Sequence, residues 1–473
     1  MQQAANPVIE RWRERLRGLR PDEYSSRPAA VTLWVRRGWL LMALLLAAGL
    51  VVTLNREVTQ GVSDFRGFHE ASRYLMQRGQ RLSDTTFAYY LPSLEVAGIG
   101  LAWLPLSVAG TIWYLLGCWS WIALLRSVDH YLLEDCQSPL RRIVILLAGL
   151  LVTPLALDGL CLGSFQTFMV WWMVAGLGRI SRGKSVSGGI LLGLAIWIKV
   201  LPLIAVGYLV LKRRWKAALV AIVCAVAVDG TLSVVGYGPA KAWAEHRQWW
   251  EEQAQGASSR QLADPNPIGE DRLTNQSLVV ILRRTLSSMG IDHGEARAYT
   301  TVLHLSSPQV TLVYIAALGL LGVGIVVYCG RPGEQLSSAR WTTEIALVTL
   351  ATLWVSPVLW SYHPTAVLPA LAVVLARTAM RPRLGWGIIL GWLLAMGLLG
   401  CPLACALGEI FWATLALGGL LVWTGQLGME KLTGSDKTGT GSRQVKDHGQ
   451  NPGYARVPVP ILSEPFIKDG NCV

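Results

Sequence analysis

The sequence predicts an all-α polytopic membrane protein, and three observations lead to that fold class. Of its 473 residues, 52% are hydrophobic and only 15% are charged, whereas a soluble domain carries about 25% charged residues. Several apolar stretches approach or exceed the roughly 18 residues that a membrane-spanning helix needs. The 21 tryptophans also fit, because tryptophan favours the interface between bilayer and water. The apolar stretches are 39–54, 217–235, 310–329, 384–400 and 405–423.

Charge patterning then predicts the topology. The formal net charge is +12, but the basic residues cluster in short loops and tails, and no nucleic-acid motif accompanies them, so nucleic acid is not an expected partner. The positive-inside rule assigns these clusters to the cytoplasm. About twelve membrane-crossing segments follow, with both chain ends cytoplasmic and two large external loops at 56–92 and 237–305. The clusters are the N-terminal arm with 36–37, then 179–184, 212–216 and 381–383.

The same patterns divide the chain into three parts. Residues 1–38 form a basic cytoplasmic arm, 39–425 form the transmembrane domain, and 426–473 form a tail. The tail is rich in Gly, Ser, Thr, Lys and Pro, a composition typical of a disordered segment. The eight cysteines show no metal-ligand spacing, although Cys401 and Cys405 lie one helical turn apart and could pair.

Two stretches have specific local predictions. Residues 64–79 carry apolar side chains at helical spacing, which predicts an amphipathic helix lying on the membrane. The apolar stretch 188–211 contains Lys199 and Pro202. A charged residue at mid-membrane costs at least ~2.5 kcal/mol. Two half-length helices that meet near Lys199 at the external face avoid this cost, and the proline fits such a break.

With the sides assigned from charge, six groups of polar residues fall on the external face, which predicts a single site there. Each group also has a plain structural explanation. Lys199 could snorkel to the interface, His363 could cap a helix end, and Asn275–Ser277 could cap a helix that begins at Leu278. The six groups are Asp64; Tyr90 with Pro92; Asp158 with Gly163 and Gln166; Lys199; Asn275 with Gln276 and Ser277; and Ser356–Pro364 with Tyr362 and His363.

The order and spacing of these groups, from about residue 62 to 370, resemble glycosyltransferase family 87 of the GT-C superfamily. This family comprises polyprenol-phosphate-mannose-dependent mannosyltransferases. The resemblance implies a GT-C type fold in the cell membrane, with the active site on the external side. In such families the aspartate of the first external loop is the catalytic base, so the resemblance assigns that role to Asp64. It further implies transfer of a hexose, with mannose as the expected sugar, to a lipid or glycan acceptor.

The chemistry of a lipid-phosphate donor fits the remaining residues. A cation and hydrogen-bond donors must hold the phosphate as charge develops on it, and Lys199, His363 and Arg66 are the candidates. Sugar and acceptor contacts are expected from the other polar residues of the site. A single phosphate can be neutralised by Lys and His, so neither a metal nor another cofactor is expected. The expected substrate contacts are Tyr90, Asp158, Gln166, Asn275, Gln276 and Tyr362.

Three other classes of function stay open from the sequence, one of which is a non-catalytic membrane scaffold. A secondary transporter would use broken helices such as the one predicted at Lys199, although no convincing internal repeat is visible. A polymerase or ligase of lipid-linked glycans would be a close mechanistic neighbour. Besides the donor and acceptor, the expected partners are membrane lipids.

Overall fold

The computed structural model is predominantly helical, in agreement with the predicted fold class. One short element differs, because Ile291–His293 and Ala296–Ala298 pair as antiparallel strands β1 and β2 within the region predicted as the second external loop. The structure describes residues 28–56, 63–82, 90–251, 275–287, 291–293, 296–298, 301–330, 332, 336–379 and 381–434.

The helices of the first half are α1 (Pro28–Asn55), α2 (Asp64–Arg78), α3 (Ser93–Ala97), α4 (Ile99–Ala102), α5 (Leu106–Leu132), α6 (Ser138–Leu162), α7 (Gln166–Ser181), α8 (Ser185–Ile198), α9 (Leu203–Leu211), α10 (Trp215–Tyr237) and α11 (Pro239–Trp249). Those of the second half are α12 (Leu278–Leu286), α13 (Ser307–Cys329), α14 (Ser338–Trp354), α15 (Leu368–Thr378), α16 (Pro382–Gly397), α17 (Pro402–Leu407) and α18 (Glu409–Gly434). Short 3₁₀ turns at His363–Val367 and Leu398–Gly400 complete the set.

Six helical segments among the described residues are long and apolar enough to cross a bilayer. Their outer surfaces carry large apolar side chains, most clearly on α13, where Leu320 is 75% and Val327 is 77% exposed. Such surfaces are stable only against lipid, so the chain is a multi-pass membrane protein. The six segments are Thr32–Asn55, Leu106–Leu132, Ser138–Leu162, Trp215–Tyr237, Ser307–Cys329 and Pro382–Gly400.

Helix α8 packs closely between α7 and α10. Glycines make this approach possible: a Cβ at Gly188 would lie 2.6 Å from the carbonyl oxygen of Gly176 on α7. On the other side, a Cβ at Gly193 would lie 2.6 Å from the carbonyl oxygen of Ala221 on α10. Small residues let helix backbones come together inside a membrane, so α8 is fixed on both sides and the position of its C-terminal end is well defined.

The predicted break in the apolar stretch 188–211 is confirmed. Helix α8 ends at Ile198, Lys199 has an extended backbone (φ −147°, ψ 130°), and α9 begins after Pro202. Extended backbone at Lys199 turns its side chain away from the helical course of α8, into the space between α7 and the segment that follows α14, where Gln166 and His363 are found.

The predicted amphipathic helix is also present, as α2. Ser63 caps its N-terminus by accepting a hydrogen bond from the backbone N–H of Arg66, and Gly79 ends it in the left-handed conformation. Its environment differs from the prediction of a helix lying on the membrane. The apolar face is buried against other parts of the protein, with Phe65 at 1% and Phe68 at 3% exposure, because Trp113 of α5 and Phe165 provide an aromatic surface for it.

Three further sequence predictions concern the ends and the cysteines. The stretch 405–423 is not one helix, since Gly408 adopts φ +78° between α17 and α18. Cys401 and Cys405 are both free. Residues through Leu427 form one compact unit, while a second unit begins at Gly428. Helix α18 continues to Gly434, past the predicted start of the tail at residue 426. Residues 1–27 of the arm and 435–473 of the tail lie outside the described residues.

Candidate active site

The Asp64 carboxylate lies at the N-terminus of α2, where the helix dipole favours a negative charge. The hydroxyl group of Tyr362 donates a hydrogen bond to Oδ2 of Asp64 at 3.2 Å. Burial raises the pKa of Asp64, while the hydrogen bond from Tyr362 and the charge of Lys199 act against that rise. Within the part of the chain that the structure describes, Asp64 has no ion pair, so its carboxylate is available to take up a proton.

A glycine lets α2 approach the end of α6. Gly163 follows α6 with φ +75°, and a Cβ at this position would overlap the Cβ of Phe65, the neighbour of Asp64. Its carbonyl oxygen accepts a hydrogen bond from Nε1 of Trp113 at 2.9 Å. The left-handed backbone and the lack of a side chain at Gly163 therefore decide how closely Asp64 lies to the residues around the end of α6.

Lys199 and Gln166 meet His363 in the centre of the site. The Nζ atom of Lys199 lies 3.3 Å from Oε1 of Gln166 and 2.9 Å from Nε2 of His363. The side-chain amide of Gln166 also donates to the carbonyl oxygen of His363 at 3.2 Å. Burial lowers the pKa of Lys199 to about 8, and the charge of Asp64 opposes this effect. The cation is thus held by an amide and an imidazole rather than by a carboxylate.

The imidazole of His363 lies between backbone groups and Lys199. The backbone N–H of Trp360 lies 3.1 Å from Nδ1, and the ring also has a backbone hydrogen bond to Val358. Nε2 faces Nζ of Lys199. A bound anion can accept from the lysine, and from the imidazole when Nε2 carries a hydrogen, which makes this pair a suitable phosphate site.

Asp158 lies on the other side of the turn that carries Tyr362. Its Oδ2 atom accepts a hydrogen bond from the hydroxyl of Ser361 at 2.6 Å, and its Oδ1 atom lies 3.5 Å from Nη1 of Arg56. Asp158 is therefore paired with a cation, in contrast to Asp64. Neither Arg56 nor Ser361 was assigned a role from the sequence, since an arginine after the first helix and a serine within a turn are ordinary there.

Tyr90 joins the site from the segment just before α3. Its ring packs against Phe165, with 5.4 Å between ring centroids, and its carbonyl oxygen accepts a hydrogen bond from Arg81 at 3.2 Å. Burial, and secondarily the charge of Asp64, raise the pKa of the Tyr90 hydroxyl. Tyr90 therefore stays neutral at physiological pH and can act as a hydrogen-bond donor close to Asp64.

Asn275 and Gln276 are buried and hold the turn in place. The Oδ1 atom of Asn275 accepts from the backbone N–H of Leu359 at 3.0 Å, and the backbone N–H of Gln276 donates to the Leu359 carbonyl oxygen at 2.9 Å. The Gln276 side chain donates to Glu409 at 3.0 Å and accepts from the backbone N–H of Ile410 at 2.8 Å. These bonds fix the turn that carries His363 four residues after Leu359.

Arg66 has a different environment from the other predicted phosphate ligands. It forms a 2.7 Å ion pair with Glu70 one turn later on α2, and the pair is partly exposed. Of the ten predicted site residues, direct side-chain contacts join Asp64 to Tyr362, and Lys199 to Gln166 and His363. Asp158 and the two buried amides reach the same turn through Ser361 and Leu359.

Comparison with known proteins places the chain in a family. The model of "Glycosyltransferase family 87" matches residues 89–357, more than half of the chain. A similar protein is the polyprenol-phosphate-mannose-dependent alpha-(1-2)-phosphatidylinositol mannoside mannosyltransferase of Mycolicibacterium smegmatis, 32% identical over 203 residues. That match covers 42% of this chain and 39% of the relative, so the chain spans about two fifths of the relative's length. The family match shows that the chain belongs to glycosyltransferase family 87.

Proposed function

We propose that this protein transfers a hexose, with mannose as the sugar, from a polyprenyl-phosphate donor to a hydroxyl of a lipid or glycan acceptor. The observation that carries this proposal is the arrangement of Asp64, Lys199 and His363. The Asp64 carboxylate, which has no ion pair among the described residues, lies at one end of a contact series that continues through Tyr362 to His363 and Lys199. A base and an anion site side by side suit transfer from a sugar phosphate.

In the proposed reaction, the bond between the anomeric carbon and the phosphate oxygen breaks, and its electron pair leaves with the polyprenyl phosphate. A new bond forms between the anomeric carbon and the acceptor oxygen. Asp64 takes the proton from that oxygen as the bond forms. Lys199 and the Nε2–H of His363 donate to the phosphate, whose negative charge grows as it leaves.

The remaining residues are assigned to binding. Tyr90, Asp158 and Tyr362 supply hydrogen-bonding groups around Asp64 and contact the sugar or the acceptor. Gln166 contacts both Lys199 and the backbone of His363, which positions the phosphate ligands. Asn275 and Gln276 act through the turn at Leu359. Arg66 pairs with Glu70 rather than with another of the predicted site residues. We assign it to binding the donor's phosphate as the donor enters the site.

We propose that this site opens to the external face of the membrane. In this proposal α7, α8, α9, α14, α15 and α18 join the six apolar segments to make twelve membrane segments, with α8 and α9 meeting at Lys199. Helices α3 and α4 have 5 and 4 residues, and we assign them to the external side. An even number of segments keeps both chain ends on the cytoplasmic side, consistent with the basic clusters. The donor's lipid tail stays in the bilayer beside the site.

A transfer assay tests the function. Purified protein is incubated with radiolabelled polyprenyl-phosphate mannose and a membrane lipid extract, and the products are separated by chromatography. We expect label to move from the donor to an acceptor, and no transfer from a nucleotide sugar. Uptake of intact donor into vesicles without transfer would favour a transporter. Stepwise growth of a lipid-linked glycan would favour a polymerase.

A further inference from the structure

A second polar cluster lies beside the candidate active site and was not anticipated from the sequence. It contains Ser93, Trp197, Asp229 and His246, which come from four different segments of the chain. Nε2 of His246 on α11 lies 2.7 Å from Oδ2 of Asp229 on α10. The hydroxyl of Ser93 donates to the other carboxylate oxygen, Oδ1, and accepts from Nε1 of Trp197 at 2.8 Å. We call this group the Asp229 cluster.

The Asp229 cluster is connected to the site through two short stretches of chain. Trp197 precedes Lys199 by two residues at the end of α8, and Ser93 follows Tyr90 by three residues. Both anchors are buried, with Ser93 at 0% and Trp197 at 9% exposure. A movement of Asp229 would therefore shift the backbone beside both Lys199 and Tyr90.

The hydrogen bonds of His246 specify its charge. Nδ1 lies 2.8 Å from the carbonyl oxygen of Ala242, and Nε2 faces the Asp229 carboxylate. Both oxygens can only accept, so both ring nitrogens must donate, and only the imidazolium form has two N–H groups. A neutral ring would turn a nitrogen lone pair towards an oxygen.

We propose that the ion pair between protonated His246 and Asp229 is a positioning device for the active site. It holds Asp229 where the carboxylate can orient Ser93 and, through Ser93, Trp197. Asp229 lies within α10, a membrane-spanning segment, where a carboxylate needs a partner. When His246 loses its proton, one hydrogen bond is lost and the carboxylate has no cation partner among the cluster residues. The segments that carry Tyr90 and Lys199 then become less ordered.

Other charged groups near His246 influence the pH at which His246 loses its proton. The hydrogen bond to Asp229 raises the pKa of His246, while partial burial and the charge of Arg81 lower it, and the bond to Ala242 adds to the rise. Arg81 is itself paired with Glu95 at 2.9 Å, and Glu245 is a further acidic neighbour of Glu95. Because the pKa of His246 is raised, the ion pair is complete below the ordinary histidine pKa of about 6.5. It is lost as the pH rises through the raised value.

Hydrogen–deuterium exchange of the purified full-length protein tests the positioning step without any substrate. His246→Gln keeps a hydrogen-bond donor near Asp229 but cannot be charged. At pH 6, peptides that cover 90–97 and 195–203 should exchange faster in His246→Gln than in the wild type, and at pH 9 the two should exchange alike. His304→Gln, at an exposed histidine, should match the wild type at both pH values. Equal exchange of wild type and His246→Gln at pH 6 would overturn the proposal.

The second test uses transfer of sugar from polyprenyl-phosphate mannose, and in this step the inference rests on the proposed function. The ratio of the wild-type rate to the His246→Gln rate should be about tenfold at pH 6, the effect of losing one charge-assisted hydrogen bond. This ratio should fall towards one as the pH rises, while the corresponding ratio for His304→Gln should not change with pH. A pH-independent ratio with altered exchange would make the cluster structural only. No transfer by the wild type at any pH would contradict the proposed function, and the exchange result would still decide the positioning step.

Discussion

The Nζ atom of Lys199 lies 2.9 Å from Nε2 of His363 and 3.3 Å from Oε1 of Gln166, so the contacts of this buried amine are with two uncharged groups. Burial lowers the pKa of Lys199 to about 8, although the charge of Asp64 opposes this effect. A phosphate that accepts from the lysine would place a negative charge beside it and return the lysine pKa towards its ordinary value of about 10.4.

Donor binding should accordingly take up a proton between the two lysine pKa values, most strongly near pH 9. Calorimetric titration of the wild type with a polyprenyl-phosphate sugar, in two buffers of different ionisation enthalpy, measures this uptake. Lys199→Arg keeps the cation but stays protonated throughout, so it should bind donor with almost no uptake. Lys199→Met should bind donor at least tenfold more weakly. Wild-type binding at pH 9 with no proton uptake would contradict this account of the pair.

The second prediction concerns Gly163. Gly163→Ala must place a methyl group against Phe65 and also hold an unfavourable φ of +75°. Gly183→Ala is the matched control, because Gly183 has φ +81° with open space around it. We expect both variants to lose stability from the backbone, and Gly163→Ala to lose substantially more, with sugar transfer reduced because Asp64 is displaced. Thermal unfolding and transfer rates check this, and equal losses in the two variants would rule out the packing argument.

The third prediction separates two roles for Asn275. If Asn275 holds the turn at Leu359, Asn275→Ala leaves a buried N–H without its acceptor, which costs about 1–3 kcal/mol. The unfolding temperature should fall, and transfer should fall with it. Gln426→Ala, at an exposed amide on α18, should leave both unchanged. Loss of donor binding by Asn275→Ala at an unchanged unfolding temperature would instead support the direct sugar contact expected from the sequence.

The local structure of the site could be predicted because it depends on neighbouring residues. Lys199 and Pro202 interrupt an apolar stretch, and the cost of a buried charge predicts a break there whatever packs around it. The helix at Asp64–Arg78 follows from its apolar period and its end signals, Ser63 and Gly79. The positive-inside rule also assigned distant polar groups to the same face of the membrane. It therefore predicted that Asp64, Lys199 and His363 belong to a single site.

What the sequence did not predict depends on packing between distant segments. Nothing local indicates that the apolar face of α2 meets Trp113 and Phe165 rather than lipid, since both surroundings suit the same side chains. The amide of Asn275 could bind a sugar or a backbone N–H, and only the position of Leu359 distinguishes them. The partners of Asp229 lie in three other segments, so the only signal in the sequence is an acidic residue within an apolar helix, which does not identify those partners.

The fourth prediction tests the side of the membrane on which the site opens. In a background without cysteines, single cysteines replace three exposed residues and the half-buried Arg66. Arg66→Cys and Trp243→Cys should react with an impermeant thiol reagent added to intact cells. Lys184→Cys and Lys216→Cys should react only after permeabilisation, because their loops carry the basic clusters of the cytoplasmic side. Labelling of Arg66→Cys only in permeabilised cells would contradict an external site.

The last prediction concerns the base. Asp64 and Asp158 approach the same turn, but Asp158 is neighboured by the cation Arg56 and accepts from Ser361, whereas Asp64 is contacted by the neutral hydroxyl of Tyr362. Burial raises the proton affinity of a carboxylate. Since burial raises the pKa of Asp64, its basicity is the better suited to accept a proton from an acceptor hydroxyl during transfer.

Asp64→Asn keeps the size and the hydrogen-bond acceptor but cannot take up a proton, so it should bind donor normally and lose about 10²–10⁴-fold in transfer rate. Asp158→Asn should mainly raise the KM for a substrate, with a smaller loss of kcat. In the wild type, kcat should fall as the pH drops through the raised pKa of Asp64, because only the carboxylate form accepts the proton. Tyr362→Phe removes the hydrogen bond that favours the carboxylate, so this acid limb should shift to higher pH. Near wild-type transfer by purified Asp64→Asn would make Asp158 the base, and the acid limb would then be unchanged in Tyr362→Phe.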